Sequence, residues 1–158
     1  MHRTVIVNST PIIALLGIGQ LDILKALYSE INIPEAVRRE VSVKDDYILD
    51  NYSWIKVNKI SNIAAKETFI SSLHDGEVEV MILAKELSAN LVIIDDNLAR
   101  RHAKHQGLTV TGTIGVMLRA KSEGIIESIK PLVNDLLDFG FHISDDVVNE
   151  ALKLAGEI

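Results

Sequence analysis

Leu91-Val92-Ile93-Ile94-Asp95-Asp96 is the stretch whose reading decides the fold. Four apolar residues in a row read as a fully buried strand. Two adjacent acids then stand at its C-terminal end, where open α/β sheets place their ligands. Packed negative charge repels itself unless a cation or a hydrogen-bond donor offsets it. The spot therefore reads either as a hard-metal site or as a solvated loop.

Working outward, strands and helices alternate. Thr4-Val5-Ile6-Val7 predicts a first strand, and Ser9-Thr10-Pro11 turns it into a helix with Pro11 at a starting position. A second apolar helical run covers Leu21 to Leu27. Glu30-Ile31-Asn32-Ile33 predicts a short strand, and Pro34 opens a helix reaching Val41. Residues 43–53 are polar and read as helix plus loop, and Trp54 to Val57 alternates like a strand. A long helix is expected from Asp75, as N-cap, to about Ser88. After the Leu91–Ile94 strand, a helix is expected over Asn97–Gln106, with Gly107 suited to its stop. Leu108-Thr109-Val110 reads as another strand, and Thr113–Glu123 as a helix ended by Gly124. Two further helices are expected over Ser128–Phe139 and Ser144–Ala155, each with a serine N-cap. Strands separated by helices imply a parallel sheet with helices on both faces. No repeat, low-complexity tract or linker divides residues 1–158, so one domain is expected.

Composition narrows the chemistry. A hydrophobic fraction of 47% with 24% charged residues is that of a globular chain. There is no cysteine, which excludes disulfides, zinc–thiolate sites and cysteine nucleophiles, and fits a reducing cytoplasm. The apolar stretch Pro11–Gly19 is too short to span a bilayer, and Met1-His2-Arg3 with the brief run to Asn8 does not make a signal peptide. No membrane role is expected. The net charge of −6 argues against general nucleic-acid binding, yet the charge is uneven. Residues 97–122 hold Arg100, Arg101, Lys104, Arg119 and Lys121 with no acid, so that segment is +5 and the remainder −11. It reads either as a patch for a phosphate backbone or as an ordinary solvated helix face.

Polar residues gather at three predicted strand ends: Asn8, Ser9 and Thr10; Asp95 and Asp96; Thr111 and Thr113. In a parallel sheet those ends share one edge. Asp75, Glu77 and Glu79 open the helix before the buried strand, where the helix dipole alone favours acids. Glu77 and Glu79 lie about 200° apart around that helix, so at most one faces a given site. Glu40, beside Arg38 and Arg39, reads alone as a surface acid. His74, His102 and His105 lack zinc spacing, no Walker-type loop is present, and Gly17-x-Gly19 does not follow a strand. Thr111-Gly112-Thr113 reads as a turn whose amides can hold a phosphate, or as a plain tight turn. A phosphoacceptor receiver domain is disfavoured, because no isolated acceptor Asp stands at another strand end.

Several segments together resemble PIN-domain proteins. They are Val5 to Ile13, Ile33-Pro34-Glu35-Ala36-Val37 with Glu40, Asp75-Gly76-Glu77-Val78-Glu79, and Ile93 to Asp96 with Arg100. Thr111 to Gly115 with Ala120-Lys121 and Gly124, then Gly140 to Ser144 with Ala151-Leu152, continue the likeness along essentially the whole chain. It is similar to a prokaryotic nucleic-acid-binding subgroup, within a superfamily that includes VapC-like toxins of toxin–antitoxin modules. The resemblance implies a three-layer α/β/α domain with a central, mainly parallel sheet. It implies a Mg²⁺- or Mn²⁺-dependent ribonuclease, with RNA as substrate, an antitoxin protein as a possible partner, and a homodimer. By motif, Asn8, Glu40, Glu77 or Glu79, and Asp95 or Asp96 occupy the metal and catalytic positions. Ser9, Thr10, Arg100, Arg101, Lys104, Thr111 and Thr113 are the expected nucleic-acid contacts. The pattern departs at Asn8, where the usual residue is Asp; an amide offers a carbonyl oxygen without charge. The alternative is a catalytically degenerate PIN domain that binds RNA or protein. A dimer contact is also expected from the apolar surplus between Ile12 and Leu27.

Overall fold

Five short strands form the centre: β1 (Val5–Val7), β2 (Ile31–Pro34), β3 (Ile55–Asn58), β4 (Leu91–Ile93) and β5 (Val110–Thr111). The computed structural model describes residues 3–69 and 71–158; the leader reading at Met1-His2 lies outside them. All strand pairs are parallel, in the order β3-β2-β1-β4-β5. β1 and β4 are the inner pair, with Val5, Ile6 and Val7 beside Leu91, Val92 and Ile93. All six are buried, which explains why both segments are apolar without alternation.

The helices are α1 (Ser9–Gly17), α2 (Asp22–Tyr28), α3 (Glu35–Val41), α4 (Asp75–Glu86), α5 (Asn97–His105), α6 (Thr113–Ser122), α7 (Lys130–Phe139) and α8 (Asp145–Leu154). The strand order steps outward from β1 in both directions, so right-handed crossovers lay helices on both faces of the sheet. The result is a three-layer α/β/α domain. α4 is buried from Gly76 to Ala84, around its whole circumference. That makes it a core helix, and the acids it carries need partners.

Several boundaries differ from the sequence reading. His74, not Asp75, is the N-cap of α4, and Ile129, not Ser128, precedes α7. The first helix begins at Ser9, because Asn8 is already in an extended N-cap conformation. β5 is shifted toward Thr111, and 3-10 turns occupy Ile48–Asn51 and Ile63–Thr68. Ser144 does cap α8, accepting from Val147 N–H at 3.3 Å. Gly107, at φ +83°, ends the α5 region as expected.

The apolar surplus of residues 12–27 enters this chain's own core: Ile12, Leu15, Leu21, Ile23 and Leu24 are buried, and Ile13 is exposed. α1 and α2 turn by 119° at their junction, and no single helix among the described residues is long and apolar enough to cross a membrane.

Candidate functional site

With every strand parallel, the residues after β1, β2, β4 and β5 share one edge. β1 and β4 flank the point where the strand order reverses. Asn8 and Asp95 follow the ends of these two neighbouring strands, and Asn8 N–H donates to Ile93 O at 2.9 Å.

Three acids reach this edge from three different helices, and each is held through one oxygen. Ser9 Oγ donates to Glu40 Oε1 at 3.0 Å, which fixes a side chain that would otherwise lie on the surface of α3. Gly76 lies against the same carboxylate, and a Cβ at position 76 would collide with Glu40 Oε1. His74 N–H donates to Glu77 Oε1 at 2.9 Å, closing the first turn of α4. Ala99 N–H donates to Asp96 Oδ2 at 2.9 Å, so Asp96 is the N-cap of α5. Among the described residues, the second oxygen of each carboxylate receives no protein hydrogen bond. Burial pushes the Glu77 carboxyl above its ordinary value, the His74 amide pulls it back, and the charges of Asp96 and Glu40 add to the push. The contact of Glu40 with Gly76, next to Glu77 in the chain, places those two acids side by side.

Two candidates do not join them. Asp95 accepts from Thr113 N–H at 2.7 Å and from Thr113 Oγ1 at 2.6 Å, so both of its oxygens are engaged at the start of α6. Burial raises its pKa, while the Thr113 bonds and the Arg100 charge act in the opposite sense. Ile94 N–H still bonds Thr111 O, so the extended run continues toward the acid pair. Successive side chains in such a run point to opposite sides, which separates Asp95 from Asp96. Glu79 turns toward α3: its Oε1 accepts from Ala36 N–H at 3.1 Å, and its Oε2 pairs with Lys66 Nζ at 2.7 Å. This is the separation around α4 that helix geometry requires.

A hard divalent cation is the group the donor chemistry suits. The candidate donors are all oxygen, and Asn8 Oδ1 is buried with no hydrogen-bond partner. An acceptor left in that state calls for a donor or a cation. Among the described residues, no group of three His, Cys, Asp or Glu side chains is arranged to hold a metal ion. Mg²⁺ keeps several waters and takes one or two carboxylates together with substrate phosphates, so separately held acids with free oxygens fit it.

Beside Asp95 runs a groove of about 830 Å³ between α5, the start of α6 and the turn into α8. Arg100, Arg101 and Lys104 line it, and Asp95 is the one acid in its wall. Arg119 and Lys121 of the basic segment do not contribute: Arg119 pairs with Glu123, and Lys121 with Glu157 and Ala155 O. Thr10 is exposed at the start of α1, Ser9 is half-buried on Glu40, and Thr111 lies within β5. Thr113 is fully buried with both donors on Asp95, which removes it as a nucleic-acid contact. The sequence reading assigned no role to Phe141, His142 and Ile143, which form the opposite wall. Their signals are an aromatic residue in the turn between two amphipathic helices and their place in the Gly140–Ser144 stretch of the family resemblance.

Among known families, the model described as PIN domain matches residues 4–157. No curated protein matches the chain.

Proposed function

The chain belongs to the PIN-domain family, and we propose that it is a metal-dependent ribonuclease whose cation takes one or two of the carboxylates of Glu40, Glu77 and Asp96, with Asn8 Oδ1 beside them. The PIN fold is generally a nuclease fold, and its members typically depend on a divalent metal. The observation that carries the reading is the difference among the acids. Glu40, Glu77 and Asp96 each keep one oxygen free, whereas Asp95 and Glu79 have both engaged.

Ser9, His74 N–H and Ala99 N–H hold the three carboxylates in place before any substrate arrives, so little reorganisation is needed. A divalent ion, when bound, supplies charge to the phosphodiester oxygens and lowers the pKa of its water. Arg100, Arg101 and Lys104 neutralise phosphates of the flanking strand, so binding weakens as salt rises. Asn8 contributes an oxygen without charge, which supports weak cation affinity.

The test is cleavage of a fluorescent single-stranded RNA with added Mn²⁺. Glu77→Gln keeps an acceptor for the His74 amide and loses the charge. It is expected to lower the rate by about 100-fold, as is Asp96→Asn, while Glu79→Gln stays within a few-fold. A folded Glu77→Gln with the parental rate would remove the proposed site. Asn8 also favours a second reading, a binding module without turnover. That reading takes over when the parent binds RNA yet never cuts it at saturating Mn²⁺.

A further inference from the structure

The groove beside Asp95 has two unlike walls. The α5 wall is cationic, with Arg100 and Lys104 one turn apart on the same face and Arg101 exposed beside them. The wall leading into α8 is mixed: Phe141, Ile143 and Val147 supply its apolar surface, with His142 and Ser144 among them. Phe141 is half-buried, its backbone is fixed by a bond from its N–H to Leu136 O, and Val147 is largely exposed. Asp95, the one acid in the lining, already accepts two hydrogen bonds from Thr113 and lies beside Arg100. Gly112 keeps this corner open: a Cβ there would lie 2.7 Å from both Arg100 Nη1 and Asp95 Oδ1. Beyond Val147, Asp146 and Glu150 line the next depression and repel an anionic strand. The phosphate path is therefore confined to the α5 side.

We propose that this groove is a nucleotide subsite for single-stranded nucleic acid, with phosphates on Arg100, Arg101 and Lys104 and an unpaired base against Phe141. The proposal rests on the ribonuclease reading only for where the bound strand leads, toward the acids at the same end of β4. Its volume lies within the range of small-ligand sites. A protein this acidic overall attracts an anionic strand only where its cations are concentrated. Stacking on an aromatic ring tolerates any base, and a duplex cannot supply one without unpairing it. Asp95 lines the groove and Asp96 follows it in the chain, so the groove opens at the same end of β4 as the candidate metal ligands.

The experiment measures binding in EDTA, where no cleavage occurs, by fluorescence anisotropy of labelled oligonucleotides. The parent is expected to bind single-stranded RNA about tenfold more tightly than an abasic strand of equal length and charge. It is expected to bind that RNA more tightly than an RNA duplex as well. Phe141→Ala should erase the preference over the abasic strand. Phe141→Tyr should retain it, and Phe141→Leu, which keeps apolar volume without the ring, controls for folding. Arg101→Ala with Lys104→Ala should weaken normal and abasic strands alike. A DNA strand of the same sequence separates the two sources: equal affinity means the groove reads phosphate and base, and RNA preference means it also reads the 2′-hydroxyl. Both results support the subsite. An unchanged abasic ratio in folded Phe141→Ala, equal binding of duplex, or no nucleic-acid binding at all overturns it, the last pointing to a protein occupant. Intact base discrimination without Mn²⁺-dependent cleavage would overturn the ribonuclease reading instead.

Discussion

Replacing Thr113 by Val tests whether Asp95 is scaffold or chemistry. The substitution conserves shape and removes one hydroxyl. In the folded protein that hydroxyl donates to Asp95 Oδ2 at 2.6 Å, a length typical of a charge-assisted bond, and Thr113 is fully buried. A hydrogen bond to a charged group is worth about 1.5–3 kcal/mol. For a chain of 158 residues each kcal/mol moves Tm by about 2–4 °C, so a loss near 2 kcal/mol lowers Tm by about 4–8 °C. The pH dependence has a definite sign. Burial raises the folded pKa of Asp95 and the Thr113 bonds hold it down, so removing the hydroxyl raises it further. An acid with a raised folded pKa favours the folded state more as pH falls, and that advantage is lost as pH rises through the folded value. The deficit of Thr113→Val is therefore largest at neutral pH and shrinks on acidification. Circular-dichroism melts of parent and variant at pH 7.5 and at mildly acidic pH measure it. A Tm within about 1 °C of the parent at pH 7.5, or a deficit that grows on acidification, would refute the reasoning. A cold, folded Thr113→Val that has lost all RNA cleavage would return Asp95 to the reacting centre.

Three further outcomes are expected. Asn8→Asp adds a buried charge near Glu40, Glu77 and Asp96, worth on the order of 4 kcal/mol at about 4 Å from a cation before desolvation. Its metal-free Tm should fall, Mn²⁺ should restore it, and calorimetry should show Mn²⁺ binding tightened by tenfold or more; unchanged binding would place residue 8 away from the cation. Glu157 accepts from Ile129 N–H, Lys130 N–H and Lys121, led by the Ile129 amide, which hold its pKa below the ordinary value. Its contribution is present above the unfolded carboxyl pKa and lost as pH falls through the folded one, so Glu157→Gln should flatten the acid limb of a stability–pH curve. Lys66→Met leaves buried Glu79 without its nearest cation and should cost about 1–3 kcal/mol in urea unfolding at neutral pH, the pair being partly solvated. The parent's raised Lys66 pKa, owed mainly to its bond with Glu79, means that this contribution fades as pH climbs past the ordinary lysine value.

Much of the fold was legible along the chain because its signals are local. An unbroken apolar run marks a doubly buried strand, and the alternation of strand and helix marks a parallel sheet, as in β1, β4 and the crossovers around them. Strand polarity alone then predicts that Asn8 and the Asp95-Asp96 pair share an edge. The division of labour among the acids was not legible. Helix periodicity established that Glu77 and Glu79 diverge, but only the packing of α3 and Lys66 decided which of them turns toward the other acids. Neighbouring Asp95 and Asp96 look equivalent in sequence, and Thr113, which takes both oxygens of one, lies 18 residues away. Glu40 read as a surface acid until Ser9, 31 residues earlier, was brought to it. The +5 segment read as one patch, yet Glu123 and Glu157 remove Arg119 and Lys121 from it, leaving only the α5 cations along the groove. The residue types and their strand-end positions thus come from sequence. Which carboxylate oxygens stay free is decided by donors that only the tertiary structure brings within hydrogen-bonding distance.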